Sequence, residues 1–455
     1  MKRLIAPLAF AFCAGSAGAQ TIPAPRDCAK VVVTRADADT LPALREDADC
    51  FRAEESEWDT LADEARKRQA SARASAKYRE NRAAIIEKDL PAGDPNPPEG
   101  DPVLVPVLSA QGVMELPKIA SEFDRKPLLR TGLKIPGSAA PDPVGAFRFI
   151  CQGSYLAYND PIVFPNGEGM SHLHQFFGNT ETNPTSTYAS LRASGDSTCF
   201  NNLNRSGYWI PALMGKNSAG ADVVIMSDYN NVYYKRRPAS DPYFNEGEYG
   251  WKLYPINLPR GLRFVYGWPE KAPRFKCIYA AGGESGWKDD LSAALKNCGP
   301  GSRLDASVAT PSCWNGKDLD SPDHRSHMAY QAKGTRATKY TDRCPKTHPY
   351  VITTFTLQSI YQILEGDRPE TWEFSSAMMA PEFAFGSGRT FHGDWFGAWD
   401  DEAAKAWQDN CINKRLNCSS GNLGNGSMLM DNRKNAPGIE NRNARLPVPK
   451  RPMVH

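Results

Sequence analysis

From about residue 103 the chain breaks into short runs that mix β-branched, aromatic and alternating apolar residues, the signature of half-buried strands. The runs are Phe147-Arg-Phe-Ile-Cys151, Ala221–Met226, Val232–Tyr234, Leu262–Tyr266, Arg274–Tyr279 and Tyr350–Leu357. Asp228-Tyr-Asn-Asn231 reads as a hairpin turn between two of them. Helical signals are few. Lys288–Asn297 is one short candidate. Asp400–Asn413 is a better one, because Asp400 and Asp401 suit the positive end of a helix and Ala403, Ala404, Ala406 and Trp407 follow. With 36 Gly and 36 Pro to make turns, the pattern predicts a mainly β fold. We expect an antiparallel β-sandwich or jelly-roll-like core with long loops and a short C-terminal helix.

The flanks differ from this core. Residues 1–19 read as a signal peptide: Lys2 and Arg3, an apolar run from Leu4 to Ala14, and Ala17-Gly18-Ala19 as a cleavage site. Residues 20–95 form a charged arm. Its stretch from Arg45 to Lys88 is rich in Ala, Glu, Arg and Lys with a thin apolar stripe, which predicts an exposed helix suited to self-association. The Pro-rich Pro91–Pro102 stretch marks the boundary to residues 96–140, linker and lead-in, and the core domain spans 141–419. Residues 420–455, rich in Asn, Gly, Arg and Pro, predict an irregular C-terminal tail.

Composition narrows the setting. The chain has 54 Lys and Arg against 52 Asp and Glu, so no global field favours nucleic acid or an anionic membrane. No transmembrane segment follows the leader. Of 11 cysteines, Cys13 lies in the leader, and the even remainder in an exported chain reads as disulfides. Pairing neighbours gives Cys28–Cys50, Cys151–Cys199, Cys277–Cys298, Cys313–Cys344 and Cys411–Cys418. The first and last close short loops; the middle three are one connectivity among many. Reduced metal-binding cysteines are the alternative, but no paired C-x-x-C supports it.

Candidate chemistry lies with the seven histidines. His172-Leu173-His174 has the period of a strand, which would put both imidazoles on one face as metal ligands or as a ligand and a proton shuttle. Asp323-His324-Arg325-Ser326-His327 is denser: His324 and His327 are one helical turn apart, Asp323 could orient an imidazole, and Arg325 suits an anionic substrate such as a uronate. The candidate catalytic set is therefore His172, His174, Asp323, His324, Arg325 and His327, with His172, His174 and His327 as ligands should a divalent metal be the cofactor. Histidines bonded to carbonyls and a loop stiffened by Asp and Arg are the structural alternatives. His392-Gly393-Asp394-Trp395 repeats the theme of His beside a carboxylate. Tyr208, Trp209, Trp314, Tyr330 and Trp395 could stack on sugar rings or belong to the core. No nucleophile elbow, phosphate loop, H-E-x-x-H or dinucleotide fingerprint is present.

A family resemblance joins these segments. It runs through Asp160-Pro-Ile-Val163, Ser171-His-Leu-His-Gln-Phe-Phe-Gly-Asn179, Ser197-Thr-Cys199 and Tyr208-Trp-Ile-Pro211. It continues through Pro259-Arg-Gly-Leu-Arg263, Pro311-Ser-Cys-Trp-Asn-Gly316, Leu319-Asp-Ser-Pro-Asp-His-Arg-Ser-His-Met-Ala-Tyr330, Cys344-Pro-Lys-Thr-His-Pro349 and Phe391-His-Gly-Asp-Trp395. Over about residues 145–415 the chain resembles the DUF1996-type domain of unknown function of secreted fungal and bacterial proteins. Gly393 and Trp395 stand where that family usually has Ala and Phe. Some fungal relatives carry a WSC-type carbohydrate-binding module, so the resemblance implies secretion or a periplasmic location and contact with polysaccharide or cell-wall glycan. It supplies no catalytic residues. The expected function is a polysaccharide-acting hydrolase or lyase; the alternative is a non-catalytic carbohydrate-binding or structural cell-envelope protein. The enzymatic expectation depends on His172/His174 meeting His324/His327, about 150 positions away, in one pocket open to solvent.

Overall fold

Phe147, Phe149 and Cys151 are buried while Arg148 between them is exposed, so the alternation in this run does what its period dictates. In this computed structural model the described residues are 104–247, 250–334 and 342–452. The signal peptide, the helical arm with its proposed self-association, and Cys28–Cys50 lie outside them. The principal strands, in chain order, are β1 (Gly145–Cys151), β2 (Gly153–Ala157), β3 (His174–Gly178), β4 (Gly207–Pro211), β5 (Tyr229–Arg236), β6 (Arg263–Gly267), β7 (Arg274–Ile278), β8 (Arg303–Ala309), β9 (Thr354–Gln362), β10 (His392–Phe396) and β11 (Asn417–Cys418).

The fold is mainly β, with several sheets. The largest has the order β7-β8-β9-β5-β1-β11 and is antiparallel except where β11 joins β1. The next, β6-β10-β4-β3-β2, is antiparallel throughout. Their facing sides meet in an aromatic layer. Phe355 of β9 lies with its ring centroid 5.5 Å from Tyr266, 5.9 Å from Trp395 and 6.1 Å from Tyr208, while the Tyr208 and Tyr234 hydroxyls are 3.2 Å apart. Each such ring taken wholly out of water contributes about 1.5–3 kcal/mol, so this layer is the main apolar support for the sheet that bears the site.

The other face of the five-stranded sheet is covered by loops. Phe176, Trp209, Val265 and Phe396 pack there against Ile162, Tyr188 and Leu191, joined by Leu104, Leu116 and Ile119 from the segment read as lead-in. Four disulfides crosslink the described residues: Cys151–Cys199, Cys277–Cys298, Cys313–Cys344 and Cys411–Cys418. The pairs are those expected by neighbour pairing.

Three local expectations change. Asp228–Asn231 is no hairpin turn: the strand Asp222–Ile225 belongs to a separate sheet, and β5 starts at Tyr229, so the segment crosses between sheets. The C-terminal helix is Asp401–Trp407, capped by Asp400 accepting from the Glu402 and Ala403 amides, and continues as a wider turn over Gln408–Ile412. The end of the chain is partly structured: Arg445–Pro447 pairs with Asp222–Ile225, and Arg445 forms an ion pair with Asp367. No helix among the described residues is long and apolar enough to cross a membrane.

Candidate functional site

Leu173 fixes the direction of its two histidine neighbours. It packs against Ala212, Val224 and Met226, so His172 and His174 turn the opposite way and their ring centroids lie 4.1 Å apart. On β10 the same period puts His392 and Asp394 on one face, because Gly393 points at the Tyr266 phenol, which leaves no room there for a Cβ. Pairing aligns Asp394 with Trp209 and Trp209 with Phe176, so β3 and β10 flank β4 and present their side chains toward one point. The His392 ring is 5.1 Å from His172 and 6.1 Å from His174. Asp160 completes the cluster from the loop after β2, where its Oδ1 accepts from the Ile162 amide at 3.0 Å and the Val163 amide at 2.9 Å. Nitrogens of His172, His174 and His392 lie within 4.8 Å of one another, as do ligand atoms of Asp160, His174 and Asp394. All five residues are buried, from 0% exposure at His174 and Asp394 to 6% at His172.

Hydrogen bonding decides which form two imidazoles take. His174 Nδ1 is 2.9 Å from the Asn159 carbonyl, and His392 Nδ1 is 2.8 Å from the Thr390 carbonyl. A carbonyl only accepts, so each Nδ1 carries the proton and each Nε2 keeps its lone pair. His174 Nε2 is buried with no hydrogen-bond partner, and so are both carboxyl oxygens of Asp394. His392 Nε2 lies 3.9 Å from Asp394 Oδ2.

Burial shifts Asp160, His174, His392 and Asp394 toward the neutral form. It pushes His174 down to about 4 and, with the charge of His174 added, His392 down to about 3. It lifts Asp160 to about 6, against the pull of the Val163 and Ile162 amides and the positive charge of His324. The Trp209 indole adds the smallest pull. Asp394 is raised well above the carboxylate range, first by burial and then by the neighbouring Asp160.

The Asp320–His327 loop is different. His327 contacts Ser321 Oγ at 2.8 Å through Nδ1 and the Arg263 carbonyl at 3.0 Å through Nε2. His324, in the left-handed region at φ 58°, meets Asp320 at 2.9 Å, and Asp320 is also bonded by Arg263. Arg325 donates to Glu270 and to the Trp268 carbonyl. Burial alone would raise the Asp323 carboxyl, but donors from Ser326, Ser321 and the Arg325 amide hold it well below its usual range.

The structure therefore joins His172 and His174 to His392, and leaves His327 out, since both of its nitrogens are engaged elsewhere. The expectation that His327 is a metal ligand is corrected on that ground. Asp323 is taken up by its own loop. Arg325 is committed to Glu270, which removes the free guanidinium that an anionic substrate was expected to meet. The loop still acts on the cluster through charge: His324 lowers Asp160, and Arg325 lowers His392 and Asp394. The sugar-stacking expectation is also corrected: Tyr208, Trp209, Trp314 and Trp395 are core, exposed by 1% or less, and half-buried Tyr330 uses its hydroxyl between the Gly267 amide and the Ala309 carbonyl.

Sequence reasoning singled out His392 and Asp394 as a pair but did not assign them to the site, and it gave Asp160 no chemical role. The usable signal was the shared period of His172-Leu-His174 and His392-Gly-Asp394, which two strands flanking a third would aim at one place.

A family model described as Domain of unknown function (DUF1996) matches residues 160–399, more than half of the chain. The chain belongs to the DUF1996 family. The DUF1996 match starts at Asp160 and takes in all five cluster residues and the Asp320–His327 loop, but not β1, β2 or β11. Curated proteins and solved structures give no match to this chain.

Proposed function

We propose that this DUF1996 chain is an exported enzyme that cleaves a polysaccharide, hydrolysing it rather than eliminating across it, with its chemistry at Asp160, His172, His174, His392 and Asp394. One observation carries the proposal: segments distant in sequence bring three imidazoles and two carboxyls together with buried atoms left unpaired. An unpaired buried polar group costs about 1–3 kcal/mol, so a fold that keeps several of them at one point is spending stability on chemistry. Hydrolysis is preferred to the lyase route because Arg325, the group that would neutralise a uronate, is held by Glu270. Export is supported by the leader-like N-terminus and by four disulfides. The jelly-roll-like winding belongs to the same proposal and is supported by the stacking of two largely antiparallel sheets.

The test is release of reducing ends from a panel of neutral and acidic cell-wall glycans by the purified chain, with Asp394→Asn and Asp160→Asn compared. Turnover lost in both variants supports the proposal. Unsaturated products would show elimination and overturn the preference for hydrolysis.

A second reading has its own support. Exposures of 0–6% put all five groups beneath the surface rather than on it. A non-catalytic glycan-binding or cell-envelope protein would use such a cluster as internal scaffold. It predicts glycan retention with no product formed, unchanged in Asp394→Asn.

A further inference from the structure

We propose that His172, His174 and His392 form a binding centre for one divalent transition-metal ion of the zinc class, with Asp394 and Asp160 beside it as the balancing charges. The inference goes beyond the enzymatic reading and does not depend on it, since an ion could be held here without turnover.

The geometry is that of a ligand set. Imidazole nitrogens are the donors that zinc, copper and nickel prefer. In the two histidines whose partners are defined, Nδ1–H is fixed by a backbone carbonyl, at Asn159 and Thr390, and Nε2 keeps the lone pair. A carbonyl on the far nitrogen is how ligating histidines are usually oriented. His174 Nε2 is buried and has no hydrogen-bond partner. Nitrogens sharing one tetrahedral zinc sit about 3.3 Å apart, given bonds of roughly 2.0–2.1 Å. The three imidazoles offer nitrogens within 4.8 Å of one another, so modest rotations of side chains bring them to a common centre.

The carboxyls answer the charge problem. A dication beneath the surface needs compensation, and uncharged imidazoles provide none. Two carboxylates supply two negative charges. Both oxygens of Asp394 lack hydrogen-bond partners, and Oδ2 is 3.9 Å from His392 Nε2, so this side chain is placed either to ligate or to face the ion. Asp160 contributes an atom to a second set with His174 and Asp394 within the same 4.8 Å limit. His174 belongs to both sets and is the pivot of the centre.

Because the cluster is buried, the ion is best introduced during folding rather than by soaking. The experiment uses tag-free full chain with its disulfides intact. Metal is measured as isolated, then after unfolding in denaturant with chelator and refolding with or without Zn²⁺ or Co²⁺. The expected result is close to one ion per chain, visible d–d absorption of tetrahedral or five-coordinate Co²⁺, and a higher Tm with Zn²⁺. His174→Ala and His392→Ala should each weaken Zn²⁺ binding at least about 100-fold and abolish the Tm gain. His327→Ala, outside the centre, should keep stoichiometry and affinity. His174→Gln, closer in size, covers the case in which an alanine variant fails to fold, and should show the same loss. Stoichiometric uptake that survives in His174→Gln and His392→Ala, or wild-type uptake no higher than that of an unrelated disulfide protein treated alike, overturns the proposal. Turnover is not among these readouts, so failure of the metal centre and failure of the enzymatic reading are separate results.

Discussion

Two clusters of histidine and aspartate lie within one family domain, and they are built on opposite terms. In the loop from Asp320 to His327 the polar groups answer one another: His327 has Ser321 and the Arg263 carbonyl, His324 has Asp320, Arg325 has Glu270, and Asp323 collects donors from its own loop. In the strand cluster, His174 Nε2 and both Asp394 oxygens are buried without a partner. The loop looks like chemistry in the sequence because it is dense in ionisable residues, yet that density is what lets it satisfy itself. The strand cluster looks sparse because its members come from different segments, and nothing local is available to quench them. A satisfied cluster stabilises; an unsatisfied one waits for a ligand.

That contrast can be broken by experiment. The largest effect should come from the metal titration, where His174→Ala loses at least about 100-fold in affinity and His327→Ala loses none. Next, His327→Ala should lower stability by about 2–4 kcal/mol, because it opens space and strands the Arg263 carbonyl and Ser321. Equilibrium denaturation checks this, and a loss under about 0.5 kcal/mol would mean the loop is not the self-supporting unit described.

Asp305 sharpens the comparison, being a buried carboxyl that belongs to neither cluster. Its Oδ1 has no partner and its Oδ2 accepts from Gln358 at 3.2 Å. Burial lifts it from 3.8 to about 7, with Lys276 pulling down and Glu284 pushing up. A raised folded value favours the neutral acid, so its contribution is full below about pH 4, falls as pH rises, and levels off above about pH 7. Asp305→Asn should therefore flatten this part of the profile and gain on the parent by on the order of 2 kcal/mol between pH 4 and pH 8. Denaturation midpoints at both pH values measure it; equal offsets at the two would remove the carboxyl as the cause.

The smallest effect is expected at the strand cluster itself. In metal-free protein held near pH 4, where the buried Asp394 carboxyl is neutral and linkage adds little, Asp394→Asn should change stability by less than about 1 kcal/mol, since no hydrogen bond is lost. A penalty like that of His327→Ala would show that Asp394 is tied into the scaffold, and the distinction between the clusters would fall.

How much was legible follows from the same physics. The period of two in Phe147–Cys151 and in His172-Leu-His174 reports which side chains share a face, because it is a property of each strand alone. It therefore disclosed the mainly β character and the shared direction of the His172 and His174 side chains. Asp228–Asn231 misled because a turn-like tetrapeptide is equally good at leaving one sheet for another. The tryptophans and tyrosines misled because an aromatic ring stacks on a sugar or on Phe355 by the same forces, and only burial tells which.

By itself, then, the sequence determined the strand periods, the family and the residue types able to do chemistry, and it pointed to the short Cys411–Cys418 loop while leaving the pairings of Cys151, Cys277 and Cys313 among many. Tertiary structure decided which of those residues meet. It chose His392 over His327 because β10 and β3 flank the same strand, and strand order across a sheet is set by long-range pairing that no local pattern encodes. It also decided which polar groups are spent on the scaffold and which are left open, since that depends on carbonyls and hydroxyls supplied by distant segments.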